Sequence, residues 1–127
     1  MNAGNKRILV VDDAATVRMY HRQILQQAGF AVEEAINGLE GLEKALNTPF
    51  DLYLVDINMP KVDGYDFLRD LRSREIYQGP AIMISTEAEL HDKQRAYAAG
   101  ANFYMVKPIK PKDLLKYCNL LLGIGSE

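Results

Sequence analysis

The run Leu52-Tyr53-Leu54-Val55 is apolar at consecutive positions, stops on the carboxylate of Asp56, and is followed four residues later by Pro60, which cannot continue a sheet ladder. Such a run fits a short strand covered on both faces, the condition of a parallel sheet flanked by helices. It places Asp56 at the carboxyl end of that strand. In open α/β sheets this is the edge where ligands bind, because the loops leaving the strands open a crevice there. A second run of the same kind, Arg7-Ile-Leu-Val-Val11, ends on Asp12 and Asp13. Two strands delivering three acids to one edge describe a cation or phosphoryl site.

The rest of the chain repeats the alternation of strand and helix. Residues 14–28 carry Val17, Tyr20, Ile24 and Ala28 at helical spacing, with Arg18, Arg22, Gln23, Gln26 and Gln27 on other faces, and Gly29 stops the helix. Residues 30–35 read as a strand less apolar than the first, hence nearer the sheet edge. Asn37 with Glu40 forms a capping arrangement ahead of a helix whose predicted inner face is Leu39, Leu42 and Leu46, ending before Pro49. After the Asp56 strand and a loop over 57–62, Asp63 caps a helix over 64–73 with Phe67, Leu68 and Leu71 inward. Gly79-Pro80 introduces a strand at 81–84 that ends on Ser85-Thr86. The helix predicted over 87–99 has little apolar surface and should be held more weakly than its neighbours. Gly100 ends it. A fifth strand, 102–106, leads to Lys107-Pro108, and a last helix opens near Pro111 and buries Leu114, Leu115, Cys118, Leu121 and Leu122.

Five strand–helix units with short connections predict right-handed βα crossovers. The expected fold is α/β: a doubly wound, flavodoxin-like, five-stranded parallel sheet of order 2-1-3-4-5, with five helices distributed over both faces. At 127 residues the chain has the size of one domain, expected over 1–127 with its core at about 6–122. Its 48% hydrophobic and 25% charged residues match a soluble globular protein, and a net charge of −2 excludes a global basic field for direct nucleic-acid or anionic-lipid binding. The single cysteine, Cys118, reads as a small core residue. The apolar run after Lys6-Arg7 is too short for a signal-peptide core or a membrane span, so a cytoplasmic location without membrane insertion is expected.

In the flavodoxin-like order the first and third strands are neighbours, so Asp12, Asp13 and Asp56 converge. Three carboxylates packed together repel unless some protonate or a cation joins them. A hard divalent ion, best Mg²⁺, resolves the conflict with one or two carboxylates, waters and a substrate phosphate. Asp56 is then the candidate nucleophile, since a carboxylate can form an acyl phosphate. Ser85 offers a hydroxyl to a phosphoryl oxygen, and Lys107 puts a cation on the same edge.

With these residues assembled, the chain resembles the receiver domain of two-component response regulators over essentially its full length. The resemblance is carried by Asp12-Asp13, Asp56, Met59-Pro60, Asp63-Gly64, Ser85-Thr86, Gly100-Ala101 and Lys107-Pro108, in order and at strand ends. It implies that Asp56 accepts a phosphoryl group from a histidine kinase, and that Asp12, Asp13, Asp56 and the backbone carbonyl of Asn58 bind Mg²⁺. It further implies that Ser85 and Lys107 bind the phosphoryl group, that Ser85 and Tyr104 form a switch, and that the Lys107-Pro108 bond is cis. The signal would leave through residues 90–97, Tyr104 and residues 112–119 to an output protein, from a monomer or a weak phosphorylation-linked dimer. Asn58, two residues after the acceptor, and Glu87, two after Ser85, resemble stand-alone chemotaxis regulators, in which these positions tune dephosphorylation. Thr86 departs from the alanine or glycine common in the family, and its bulk is expected to restrict attacking water or the donor.

Other chemistries on similar folds fit less well. A haloacid-dehalogenase-type enzyme also uses an aspartate and Mg²⁺ but expects an acid two residues after a nucleophile on the first strand, where this chain has adjacent acids followed by Ala14. A flavin carrier would place a hydroxyl-rich phosphate loop where Asp12-Asp13-Ala14-Ala15-Thr16 stands. The remaining alternative is a receiver-like interaction module that acts without phosphorylation.

Overall fold

The computed structural model describes residues 6–124. Its elements are β1 (Arg7–Val11), α1 (Ala15–Gln27), β2 (Ala31–Ala35), α2 (Gly38–Asn47), β3 (Leu52–Asp56), α3 (Gly64–Arg72), β4 (Ala81–Ser85), α4 (Leu90–Ala99), β5 (Phe103–Val106) and α5 (Pro111–Leu122). The strands form one parallel sheet in the order β2-β1-β3-β4-β5, the predicted topology. β2, the least apolar strand, lies at an edge, as its composition predicts.

Alternate residues of the central strands feed two cores. Leu9, Val11, Tyr53, Val55 and Met83 face α2, α3 and α4, where Phe67, Leu68 and Leu71 meet them. Ile8, Val10, Leu52, Leu54, Ile82 and Ile84 face Leu25 of α1 and Leu114 and Cys118 of α5. Burial on both sides explains the continuous apolar runs. Cys118 is fully buried, which pushes its thiol up to about 12, so it serves as packing rather than as a thiolate.

Two helix faces differ from the sequence expectation. α1 turns His21 and Leu25 to the sheet, with Val17 and Ile24 half-buried, whereas Tyr20 is exposed and Ala28 caps the end. α2 buries Gly38, Gly41 and Ala45 and leaves Leu39 and Leu46 exposed at 62% and 43%. The reason is distance. A Cβ on Gly41 would lie 3.0 Å from the Phe67 ring and 3.2 Å from Val11, so α2 approaches too closely for a large side chain at that position, and of the predicted leucines Leu42 packs, partly buried, against the core. Its cap is as expected, with Asn37 Oδ1 accepting the Glu40 N–H at 2.8 Å, while Glu40 reaches back to the Ile36 N–H at 2.7 Å.

α4 begins at Leu90 rather than Glu87 and buries only Ala96 and Ala99. Polar contacts to α3 supplement that small anchor: the Tyr65 hydroxyl donates to the Asp92 carbonyl at 3.3 Å, and the Arg95 guanidinium sits 4.1 Å from the Tyr65 ring centroid. At the amino edge of the sheet, Arg72 donates to the carbonyls of Gly100 (3.1 Å) and Gly79 (2.8 Å) and to Asn102 Oδ1 (3.0 Å). This ties the ends of α3 and α4 to the start of β4. Among the described residues no helix is long and apolar enough to cross a membrane.

Candidate functional site

β1 and β3 pair in parallel with Val11 opposite Val55, so the residues that follow, Asp12 and Asp56, emerge side by side. Asp12 is fully buried, Asp56 is 2% exposed, and Asp13 is exposed at the rim. One carboxylate oxygen from each of the three lies within 4.8 Å of the others. β4 adds Ser85, 1% exposed, and the loop after β5 adds Lys107.

Lys107 Nζ is 3.1 Å from Asp56 Oδ1 and 3.6 Å from Asp12 Oδ2. The first is a hydrogen-bonded ion pair; the second is too long for a hydrogen bond. Asp12 Oδ1 accepts the Ala14 N–H at 2.9 Å, but Asp12 Oδ2 is buried with no hydrogen-bond partner. One lysine does not neutralise three acids. Burial, and next the Asp12 charge, push the Asp56 carboxyl up to about 6 against the lowering effect of Lys107. Burial likewise raises Asp12, opposed by the Ala14 N–H and by Lys107. An orphaned buried oxygen on Asp12, next to the raised Asp56 carboxyl and the exposed Asp13, fits a hard divalent cation bound through oxygen.

Loop geometry fixes these groups. The Asn58 N–H reaches Asp56 Oδ1 at 3.3 Å, and the Gly64 N–H donates to the Ile57 carbonyl at 3.0 Å. Asp63 caps α3 by accepting the Asp66 N–H at 2.9 Å. Gly64 is pressed against β3: a Cβ there would meet the Asp56 carbonyl oxygen at 2.6 Å. The Lys107–Pro108 bond is cis, as the resemblance implies.

The Ser85 hydroxyl donates to Asn58 Oδ1 at 3.0 Å and accepts the Glu87 N–H at 3.0 Å. The Tyr104 hydroxyl donates to the Glu87 carbonyl at 2.7 Å, and its ring is 6% exposed. Tyr104 therefore points inward and contributes little to the outer surface on which the sequence reading placed it. These bonds hold Glu87 in the loop, which is why α4 starts three residues later than its sequence suggests. Thr86 is exposed and lines an apolar cavity of about 330 Å³ with Val17, Tyr20, His21, Pro108 and Ile109, next to Lys107.

Sequence reasoning missed two residues beside the site. Arg18, placed by the sequence off the apolar stripe of α1, is oriented so that its Nη1 donates to the Asp12 carbonyl at 2.7 Å and its Nε to Glu34 Oε1 at 2.9 Å. Arg22 joins Glu34 at 2.6 Å, and the Lys44 ammonium donates to the Glu34 carbonyl. Burial alone would raise the Glu34 carboxyl, but the bonds from Arg18 and Arg22 bring it below its usual range. The available signal was an acid in edge strand β2 facing arginines four apart on α1. His21, 2% exposed, is the second; burial, and next the Lys107 charge, lower it to about 4, so it is neutral at physiological pH.

This arrangement coincides with a family match over residues 8–119, to the response regulator receiver domain. The chain belongs to that family. Receiver domains are phosphorylation-dependent signalling switches of two-component systems rather than classical enzymes, and they generally bind Mg²⁺ at the acidic pocket. This receiver domain is 35% identical to the transcriptional regulatory protein ResD of Bacillus subtilis over 95% of its own length, and spans 50% of ResD. It thus covers about half of that relative, and 45% of PhoP from the same organism. Protein PilG of Pseudomonas aeruginosa is 32% identical, with 86% of this chain and 82% of PilG covered. Among solved structures, the chemotaxis protein CheY4 of Vibrio cholerae superposes with a TM-score of 0.88 at 37% identity, covering 92% of this chain and 98% of that one.

Proposed function

We propose that this receiver domain is switched by transfer of a phosphoryl group from a histidine kinase to Asp56. The observation that carries the reading is the buried Asp56 carboxylate held by Lys107 and Asn58 beside the orphaned oxygen of Asp12. Asp12, Asp13, Asp56 and the Asn58 carbonyl would hold Mg²⁺, which when bound offsets negative charge on the phosphoryl oxygens. The Asp56 oxygen forms a bond to phosphorus as the phosphorus–nitrogen bond of the donor breaks, and the imidazole leaves with the electron pair. Lys107 pairs with the transferred group, and Ser85 donates to one of its oxygens. Thr86, Asn58 and Glu87 tune dephosphorylation, a role supported by the two-residue spacing of Asn58 from Asp56 and of Glu87 from Ser85.

The output leaves through α4, β5 and α5. Leu90, Tyr97 and Val106 are exposed at 69%, 46% and 37% and offer an apolar face beside the Tyr104–Glu87 bond. A chemotaxis-type output protein is favoured by the likeness to the chemotaxis protein CheY4, matched over most of its length. The change is a population shift: the phosphoryl group must favour one arrangement of Ser85, Tyr104 and α4 over another.

The test is intact mass after incubation with acetyl phosphate. One added phosphoryl group is expected with Mg²⁺ and none after chelation. No adduct with Mg²⁺, together with no beryllofluoride binding, would overturn the reading in favour of a module that acts without phosphorylation. Arg18→Ala is expected to weaken Mg²⁺ binding about tenfold in calorimetric titration, because Arg18 fixes the Asp12 turn from outside the ligand set. Arg18→Lys, which keeps one donor, should recover part of that loss; identical losses in both would count against a positioning role.

A further inference from the structure

We propose that the Asn58 side chain is a positioning group for the switch: it holds Ser85 in its unphosphorylated place by accepting the hydroxyl proton that a phosphoryl oxygen on Asp56 would otherwise take. The inference rests on the acceptor role proposed for Asp56 and adds a competitor to it. Ser85 is 1% exposed, so its hydroxyl finds partners within the protein. That hydroxyl carries one proton, and it goes to Asn58 Oδ1 at 3.0 Å. A bond to Asn58 and a bond to a phosphoryl oxygen are therefore mutually exclusive.

The same residue touches the acceptor. The Asn58 N–H lies 3.3 Å from Asp56 Oδ1, so one residue contacts the carboxylate through its backbone and the switch hydroxyl through its side chain. Beyond Ser85 the chain of bonds continues through the Glu87 N–H and carbonyl to the Tyr104 hydroxyl. Releasing Ser85 from Asn58 thus disturbs the far end of the chain, next to α4. The geometry also sets the direction of release. Asn58 lies on the exposed loop after β3, so its amide exchanges Ser85 for water, whereas buried Ser85 needs a new acceptor to leave. A phosphoryl oxygen added at Asp56 supplies one.

The experiment measures beryllofluoride affinity at saturating Mg²⁺ by the amide resonance of Glu87, in the wild type, Asn58→Ala, Ser85→Ala and the double variant. Asn58→Ala is expected to raise the affinity about three- to tenfold, the fold-change of one net hydrogen bond, and to shift the Glu87 resonance before any beryllofluoride is added. In the Ser85→Ala background the Asn58 substitution should change nothing, because the contested proton is absent. Unchanged or lower affinity in Asn58→Ala, or an equal gain in both backgrounds, would overturn the lock. A wild type that binds no beryllofluoride would overturn the acceptor role first, and the lock with it.

Discussion

Asp56→Asn is expected to abolish phosphoryl uptake from acetyl phosphate and, at neutral pH, to make the metal-free protein more stable than the wild type. The first effect follows from chemistry, since an amide has no ionised oxygen to form the acyl phosphate. The second follows from burial. The Asp56 carboxyl is raised from 3.8 to about 6, first by burial and then by Asp12, so between those values the folded chain holds a proton that the unfolded chain has released. Stability attributable to this group is therefore complete below the unfolded value, falls as pH rises through the window, and is flat above about 6. At 1.4 kcal/mol per unit the decline amounts to at most about 3 kcal/mol. The asparagine variant lacks it. Urea unfolding in the presence of a chelator, from about pH 4 to about pH 7, should show the variant and the wild type diverging as pH rises. A constant difference across that range would contradict the electrostatic origin.

Gly64→Ala should produce the second large effect, this time through the backbone. The added Cβ would stand 2.6 Å from the Asp56 carbonyl oxygen and 2.7 Å from Ile57 Cα, and neither neighbour is a side chain that can swing away. Overpacking of this kind costs about 1–3 kcal/mol. Because the collision is with the peptide that carries Asp56, phosphorylation should slow by more than the lost stability explains. Gly79→Ala is the control: its Cβ would meet the Phe50 carbonyl oxygen at the same 2.6 Å, at the opposite edge of the sheet. Comparable unfolding midpoints for the two variants, with slow phosphorylation only in Gly64→Ala, are expected; equal phosphorylation rates would refute a local displacement of the acceptor.

The sheet could be read from the chain because its central strands are buried on both faces, which leaves unbroken apolar runs ending on the polar side chains of the candidate site. Asp12, Asp13, Asp56, Ser85 and Lys107 came together for the same reason, since strand ends in a parallel sheet share one edge. What escaped the sequence depends on distances that no periodicity encodes. The inner face of α2 is set by how closely Gly41 lets the helix approach Phe67 and Val11, so of the three leucines at helical spacing Leu42 packs against the core while Leu39 and Leu46 face outward. The sequence places Arg18 off the apolar stripe of α1 without naming a partner, because Glu34 becomes its neighbour only after β1 and β2 pair. The start of α4 moved for a similar reason: residues 87–89 have helical composition, but bonds from Ser85 and Tyr104 hold Glu87 in the loop.

The Arg72 bonds give the molecule a mechanical polarity. Its guanidinium fastens the Gly100 end of α4 to the Gly79 carbonyl and to Asn102, at the sheet edge opposite the acids. The other end of α4, at Leu90, follows the loop that carries Ser85 and Glu87 and buries no large side chain. A rod clamped at one end and held nearer the other by the polar contacts of Asp92 and Arg95 with Tyr65 moves by rotation about the clamp. In the switch proposed above, a shift at Ser85 would therefore turn α4 about its Gly100 end, so the pivot of that motion is an arginine far from the chemistry.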